Sequence, residues 1–211
     1  MKIVSICALA FCLVALFWHF VRLVKLGKPK DLSAKSGSVA KGVAYSNTIA
    51  MMPMNKESAY LHLPTYGAGI LFHCGTFLSF LLYILALFNV NQYYPEWLSV
   101  VLALCLAVSA LCGVMMLLKR LMDVNLRSLA NPDDYLSNLF TTLFHCATVF
   151  YLLWSDVCVA VPWIYFISAS LLFLYMPFSK LKHLLYYFSA RYHLGFFYGW
   201  RNVWPPQKGN E

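Results

Sequence analysis

Five stretches of roughly 20 apolar residues run through the chain and leave few folds open to it. They lie near residues 3–24, 64–89, 97–118, 135–155 and 160–178. Each is long enough to cross the hydrocarbon core of a bilayer as a helix. Helix is the form required, because backbone groups in lipid must be satisfied within their own segment; the alternating pattern of a membrane β-barrel is absent. Of the 211 residues, 61% are hydrophobic and 11% charged, whereas a soluble domain carries about 25% charged residues. The chain therefore reads as all-α integral membrane protein, a five-transmembrane-helix bundle forming a single membrane domain over residues 1–211.

The first stretch begins with Lys2 and stays apolar through Phe17, as a signal peptide does. Trp18, His19 and Phe20 then stand where the small residues of a cleavage site belong, and Phe11 before Cys12 is too large for lipoprotein processing. The segment is read as a retained helix.

The net charge of +8 follows the helices and gives no nucleic-acid footprint. Arg22, Lys25, Lys28, Lys30, Lys35, Lys41 and Lys56 follow or flank the first connection, Lys119, Arg120 and Arg127 the third, and Lys180, Lys182, Arg191, Arg201 and Lys208 follow the fifth helix. With five helices these fall on one side, opposite Lys2, Glu96 and Asp156. The positive-inside rule makes the basic side cytoplasmic, with the N-terminus outside and the C-terminus cytoplasmic. Trp97, Trp154 and Trp163 with Tyr93 and Tyr94 form the aromatic belt at the outer ends. Segment 27–62 is then a cytoplasmic loop and 179–211 a cytoplasmic tail, a face suited to docking a partner. Phe196, Phe197, Tyr198, Trp200 and Trp204 are its candidate anchors. Seven cysteines, none in a C-x-x-C pair, point away from a zinc or iron–sulfur centre.

Ionisable residues within a membrane are functional candidates, and here the notable ones are histidines. His73 lies about 12 Å into the second helix at 1.5 Å per residue, and His145 lies inside the fourth. A haem between helices needs two imidazoles at similar depth. His73 and His183 meet that condition if the fifth helix continues past Pro177 into Leu184–Phe188, with Lys180, Lys182 and Arg191 then near haem propionates. The competing reading has each histidine bonded to a backbone carbonyl or facing lipid headgroups.

One resemblance sharpens this. The segments Lys56-Glu57-Ser58, His62-Leu63-Pro64-Thr65-Tyr66, Gly69-Ile70-Leu71-Phe72-His73, Asp134-Tyr135-Leu136-Ser137-Asn138, Pro177-Phe178-Ser179-Lys180-Leu181-Lys182-His183, Tyr187-Phe188 and Gly199-Trp200-Arg201 resemble the gamma subunit of respiratory nitrate reductases. The closest branch holds membrane subunits of sulfite-reduction and heterodisulfide-reductase-type complexes. The likeness spans about residues 40 to 205, and the segment ending in His183 is the most specific. It implies haem b axially ligated by His73 and His183, and electron transfer between membrane quinone or quinol and a cytoplasmic iron–sulfur subunit, heterodisulfide-reductase-like in that branch. It implies a prokaryotic cytoplasmic membrane as the setting. The family's two ligands of an outer haem fall here on Tyr83 and Tyr165, which implies that this haem is missing. His145 is then a candidate for a second haem or for a quinone head group. No catalytic residue is assigned; the chain is expected to be a non-catalytic or quinone-reactive subunit of an oxidoreductase complex. The alternatives are a haem-free membrane anchor and a small transporter.

Overall fold

A computed structural model describes residues 1–27, 30–55, 59 and 61–206. Of the segments named above, Lys56-Glu57-Ser58, Lys28 and Lys208 lie outside the described residues. Their regular elements are all helical, with no strand among the described residues: α1 Lys2–Lys25, α2 Val39–Asn47, α3 Leu63–Leu87, α4 Glu96–Met122, α5 Val124–Leu129, α6 Pro132–Trp154, α7 Ala160–Tyr175 and α8 His183–Trp200. Among them, α1, α3, α4, α6 and α7 with its following turn to Phe178 are long and apolar enough to span a membrane.

The expected spans hold to within four residues at every end. The largest difference is the end of α4, which runs to Met122 beyond Lys119 and Arg120. Both cations find partners at the helix end: Lys119 Nζ donates to Thr65 Oγ1 at 2.7 Å, and Arg120 pairs with Asp134 at 3.5 Å. Long basic side chains placed this way do not stop a helix. At the start of α6, Asn131 caps: its side chain accepts from Asp134 N–H at 3.1 Å, and the Asp134 carboxylate accepts from Asn131 N–H at 3.0 Å. This reciprocal pair, with Pro132 in the first turn, sets the helix start.

The chain forms two compact units. The first comprises residues 1–14 and 64–181. In it α4 packs along α6 and α6 along α7. Helix α1 enters through a narrow strip of small residues, Ser5, Ala8 and Cys12, all buried. The Tyr83 hydroxyl donates to Ser5 Oγ at 2.9 Å, and Lys2 Nζ donates to the Ala86 carbonyl at 3.0 Å. Small residues admit close approach where lipid supplies no hydrophobic drive between helices.

The second unit joins residues 15–63 to residues 182 onward, so the described parts of the expected loop and, from Lys182, of the expected tail fold with one another. Its centre is the crossing of α2 and α8. A Cβ on Gly42 would strike the Gly195 carbonyl and the Gly199 backbone, and one on Gly199 would strike Gly42 Cα and the Ser38 carbonyl. Glycine at these positions lets two backbones touch, as in G-x-x-x-G pairs. Around this contact Ser46 Oγ donates to the Arg191 carbonyl at 2.7 Å, and Arg191 Nε returns to the Ser46 carbonyl at 2.7 Å. Ser36 and Gly37 N–H both donate to the Trp200 carbonyl at 3.0 Å, and Trp200 Nε1 donates to the Ser33 carbonyl at 2.9 Å. Arg201 forms an ion pair with Asp31.

Candidate functional site

His73 lies on an open face of α3. Its Nδ1–H donates to the Gly69 carbonyl one turn back, at 2.7 Å. That bond fixes the ring orientation and places the proton on Nδ1, as the second-nitrogen hydrogen bond does for imidazoles that serve as metal ligands. The Phe72 ring stands edge-on to it, centroids 6.4 Å apart. Gly69 stands one turn before His73 on the same helical face, and a Cβ built there meets nothing within 4 Å. The missing side chain leaves open space on this face one turn from the imidazole.

His183 is the first residue of α8. The expected end of the span near residue 178 holds, but the condition set for the His73–His183 pairing, a helix continuing past Pro177, is not met: α7 ends at Tyr175, and two 3₁₀ turns, Met176–Phe178 and Lys180–Lys182, intervene. Pro177 lacks the N–H that an α-helix needs and crowds the preceding turn. The break is built firmly. Asp133 accepts from Lys180 N–H at 2.7 Å and from the Tyr175 hydroxyl. Asp134 accepts from Lys180 Nζ at 2.7 Å. Ser179 Oγ donates to the Met176 carbonyl at 3.1 Å and accepts from Leu181 N–H at 3.2 Å. Residues 177–181 of that segment are thereby tied to the acidic start of α6.

The residues expected near haem propionates are distributed differently. Lys180 is engaged with Asp134 in the first unit. Arg191 grips Ser46 and lies over the Trp204 ring in the second, 5.7 Å from its centroid. Lys182 immediately precedes α8. Of the expected docking aromatics, Tyr198 packs on Trp204 with centroids 4.6 Å apart, Trp204 on Tyr45 at 5.5 Å, and Phe196 stacks on Trp200 at 5.5 Å. These rings hold the second unit together, while Phe197 stays exposed.

His145 is fully buried in the first unit. Thr76 Oγ1 donates to the Phe72 carbonyl at 2.8 Å and lies 3.1 Å from His145 Nε2. Ser109 Oγ lies 3.2 Å from Nδ1 and 3.3 Å from the same Phe72 carbonyl, so one hydroxyl donates to the carbonyl and accepts from the ring while the other donates to the ring. Both ring nitrogens are satisfied inside the protein, and the ring packs on Phe72 at 5.0 Å.

Tyr83 and Tyr165, which occupy the positions of the family's outer haem ligands, are each 0% exposed, and their centroids are 6.3 Å apart. Tyr151 stacks on Tyr165 at 4.3 Å and Phe144 packs parallel to it at 5.9 Å. Phe173 closes on Tyr83 at 5.0 Å. Side-chain rings fill the space between those two positions.

Two features had signals in the sequence that the reading passed over. Ser137, Thr141, Thr148 and His145 recur at helical spacing along α6, which marks its inward face. Gly195 and Gly199 form a G-x-x-x-G pair on α8. Among the described residues no group of three or more His, Cys, Asp or Glu is placed to hold a metal ion. The chain matches no protein-family model, no curated protein and no solved structure.

Proposed function

We propose that this chain is the b-type cytochrome subunit of a membrane oxidoreductase, passing electrons between membrane quinone and an iron–sulfur partner on the cytoplasmic side. The observation that carries the reading is His73: an imidazole on an open helix face, its Nδ1–H held by the Gly69 carbonyl, beside a patch that lacks a side chain. A haem b held there, with His183 as the second ligand, would supply one-electron transfer. The protein's part is to fix the imidazoles. Gly69 orients one ring, and the Asp133–Lys180 and Asp134–Lys180 bonds hold the segment that leads into the other.

The packed rings around Tyr83 and Tyr165 support a single haem in this reading. The basic segments on α1, α4 and α8 support an external N-terminus and a cytoplasmic docking face in a prokaryotic cytoplasmic membrane. The test is the dithionite-reduced absorption spectrum of the purified protein and of His73→Ala and His183→Ala. A low-spin b-type spectrum lost in both variants is expected, because one axial ligand cannot keep iron six-coordinate. A wild-type protein without haem would favour the anchor reading.

A further inference from the structure

We infer that the cavity between α1 and α8 in the second unit binds the ring of a membrane quinone. The inference rests on the electron-transfer reading above and gives its lipid-soluble substrate a place. His19 Nδ1 and the Tyr186 hydroxyl lie 3.1 Å apart and tie the two helices together. Beyond this tie the helices enclose an open-sided cavity of about 460 Å³. That volume is within the range of small-molecule sites, which are mostly apolar with a few placed polar groups.

The lining has that division. Phe20, Leu23 and Val24 of α1 face Leu185 and Phe188 of α8. One stretch of α8 alone contributes polar groups: Ser189, Tyr192 and His193. Ser189 and His193 are four residues apart and so share a helical face. Each of the three carries a hydrogen-bond donor. A quinone ring offers what they need, two carbonyl acceptors on a flat apolar disc, and its prenyl tail suits the phenyl and aliphatic walls.

Charge separates this ligand from a phospholipid. Phospholipid phosphate is held by Lys or Arg, and the described lining contains neither. Arg22 and Lys25 belong to α1, but at 100° per residue both project from the face opposite Phe20, Leu23 and Val24. Arg191 is turned to Ser46 and Trp204. A described lining without Lys or Arg suits a head group that carries no phosphate. The site also adjoins His183 in sequence, since Leu184 and Leu185 line it.

The experiment uses the full chain in nanodiscs and an azido-naphthoquinone with a polyprenyl tail, cross-linked by light and mapped by mass spectrometry. Label is expected in peptides covering residues 20–27 and 184–193. Val24→Trp fills the cavity from an exposed helix position and is expected to cut labelling at least about tenfold, with the haem spectrum unchanged. His193→Leu removes one donor and is expected to weaken binding about tenfold. A second cleft, in the first unit, is lined by Asn91, Tyr151 and Asp156 among others; label that maps there, or that survives Val24→Trp, overturns the inference. So does a cavity labelled by a photoreactive phospholipid chain that quinone does not displace. Quinone labelling in a protein without haem keeps this site and removes the cytochrome reading; haem with label elsewhere does the reverse.

Discussion

Asp134 Oδ1 accepts from Lys180 Nζ at 2.7 Å, joining the first turn of α6 to the turn that precedes α8. Beside it, Asp133 accepts the Lys180 backbone N–H at 2.7 Å. Two segments that the family resemblance singled out separately, residues 134–138 and 177–183, are thus one structural feature. The backbone bond matters more than the ion pair. Lys180 is half-exposed, so its charge is well solvated and the pair contributes little. Asp133→Ala instead leaves a turn amide and a tyrosine hydroxyl without their acceptor, a loss of about 1–3 kcal/mol. Lys180→Met is expected to change stability by less than about 1 kcal/mol. Thermal denaturation of both variants, with haem content per chain measured alongside, checks the order. A larger effect from Lys180→Met would mean that charge holds the turn.

His145 is expected to act as part of the packed core. His145→Ala leaves a cavity against Phe72, with a cost of about 2–4 kcal/mol by analogy with other large-to-small core changes. Without the ring, the Thr76 and Ser109 hydroxyls are both within donating distance of the Phe72 carbonyl, so neither is orphaned. The low-spin spectrum should persist per folded chain while the melting temperature falls. Half the haem lost at unchanged stability would instead give His145 a second haem.

The five spans were legible in the sequence because a helix in lipid must be apolar for its whole length, and that leaves a mark twenty residues long. The α2–α8 crossing was not legible as a contact. Gly195 and Gly199 carry a recognisable spacing, but their partner Gly42 lies in a polar stretch far earlier, and nothing local marks it as touching them. The charges on segments 27–62 and 179–211 were expected on one side by count alone; that residues 30–55 fold against residues 182–206 depends on backbone bonds such as those at the Trp200 carbonyl, which leave no mark in composition. Pro177 announced a break, yet the expected haem geometry needed continuity; the proline's missing donor prevailed. The histidines were visible as residue types. What separated buried His145 from exposed His73 was helix rotation, recoverable only from the threonine and serine stripe on α6.

The α2–α8 contact predicts a steep response to added bulk. Gly42→Leu forces apart two backbones in contact, and a cost of about 3 kcal/mol or more is expected, at the upper end for overpacking. Gly67→Ala is the matched control, because a Cβ there meets nothing within 4 Å. Limited proteolysis between residues 30 and 55 should accelerate in Gly42→Leu and stay at the wild-type rate in Gly67→Ala.

The second unit should loosen in acid. Ser33 donates its hydroxyl at 2.7 Å and its N–H at 3.0 Å to Asp31, and with the Arg201 ion pair these hold the carboxyl below its usual pKa. A depressed carboxylate contributes stability above its unfolded value of about 4, and that contribution fades as pH falls through the lower folded value. Trp200 reports the change, since its indole N–H is bonded to the Ser33 carbonyl. Its fluorescence should shift on acidification below about pH 4. Asp31→Asn should flatten that transition while starting from a less stable neutral-pH state. An unchanged transition in Asp31→Asn would assign it to another carboxylate.

The sharpest expectation concerns Gly69. A Cβ at this position meets nothing within 4 Å, so Gly69→Ala adds no clash and Gly69→Leu projects its side chain from an open start. Helix propensity also favours leucine over glycine by roughly 1 kcal/mol. On structural grounds alone, then, the variant should fold as well as the wild type or better. The carbonyl that orients His73 belongs to the backbone and survives the substitution. What changes is the surface one turn from the imidazole, where an isobutyl group would enter open space. If a planar cofactor occupies that space, Gly69→Leu should lose it while the melting temperature of the cofactor-free protein is maintained. Gly69→Ala, with a single methyl group, should retain cofactor at reduced affinity. Haem titration into the purified apoproteins, followed by absorbance, ranks the three. Equal haem affinity for glycine, alanine and leucine at this position would sink the placement of the cofactor beside His73, even with the fold of α3 intact.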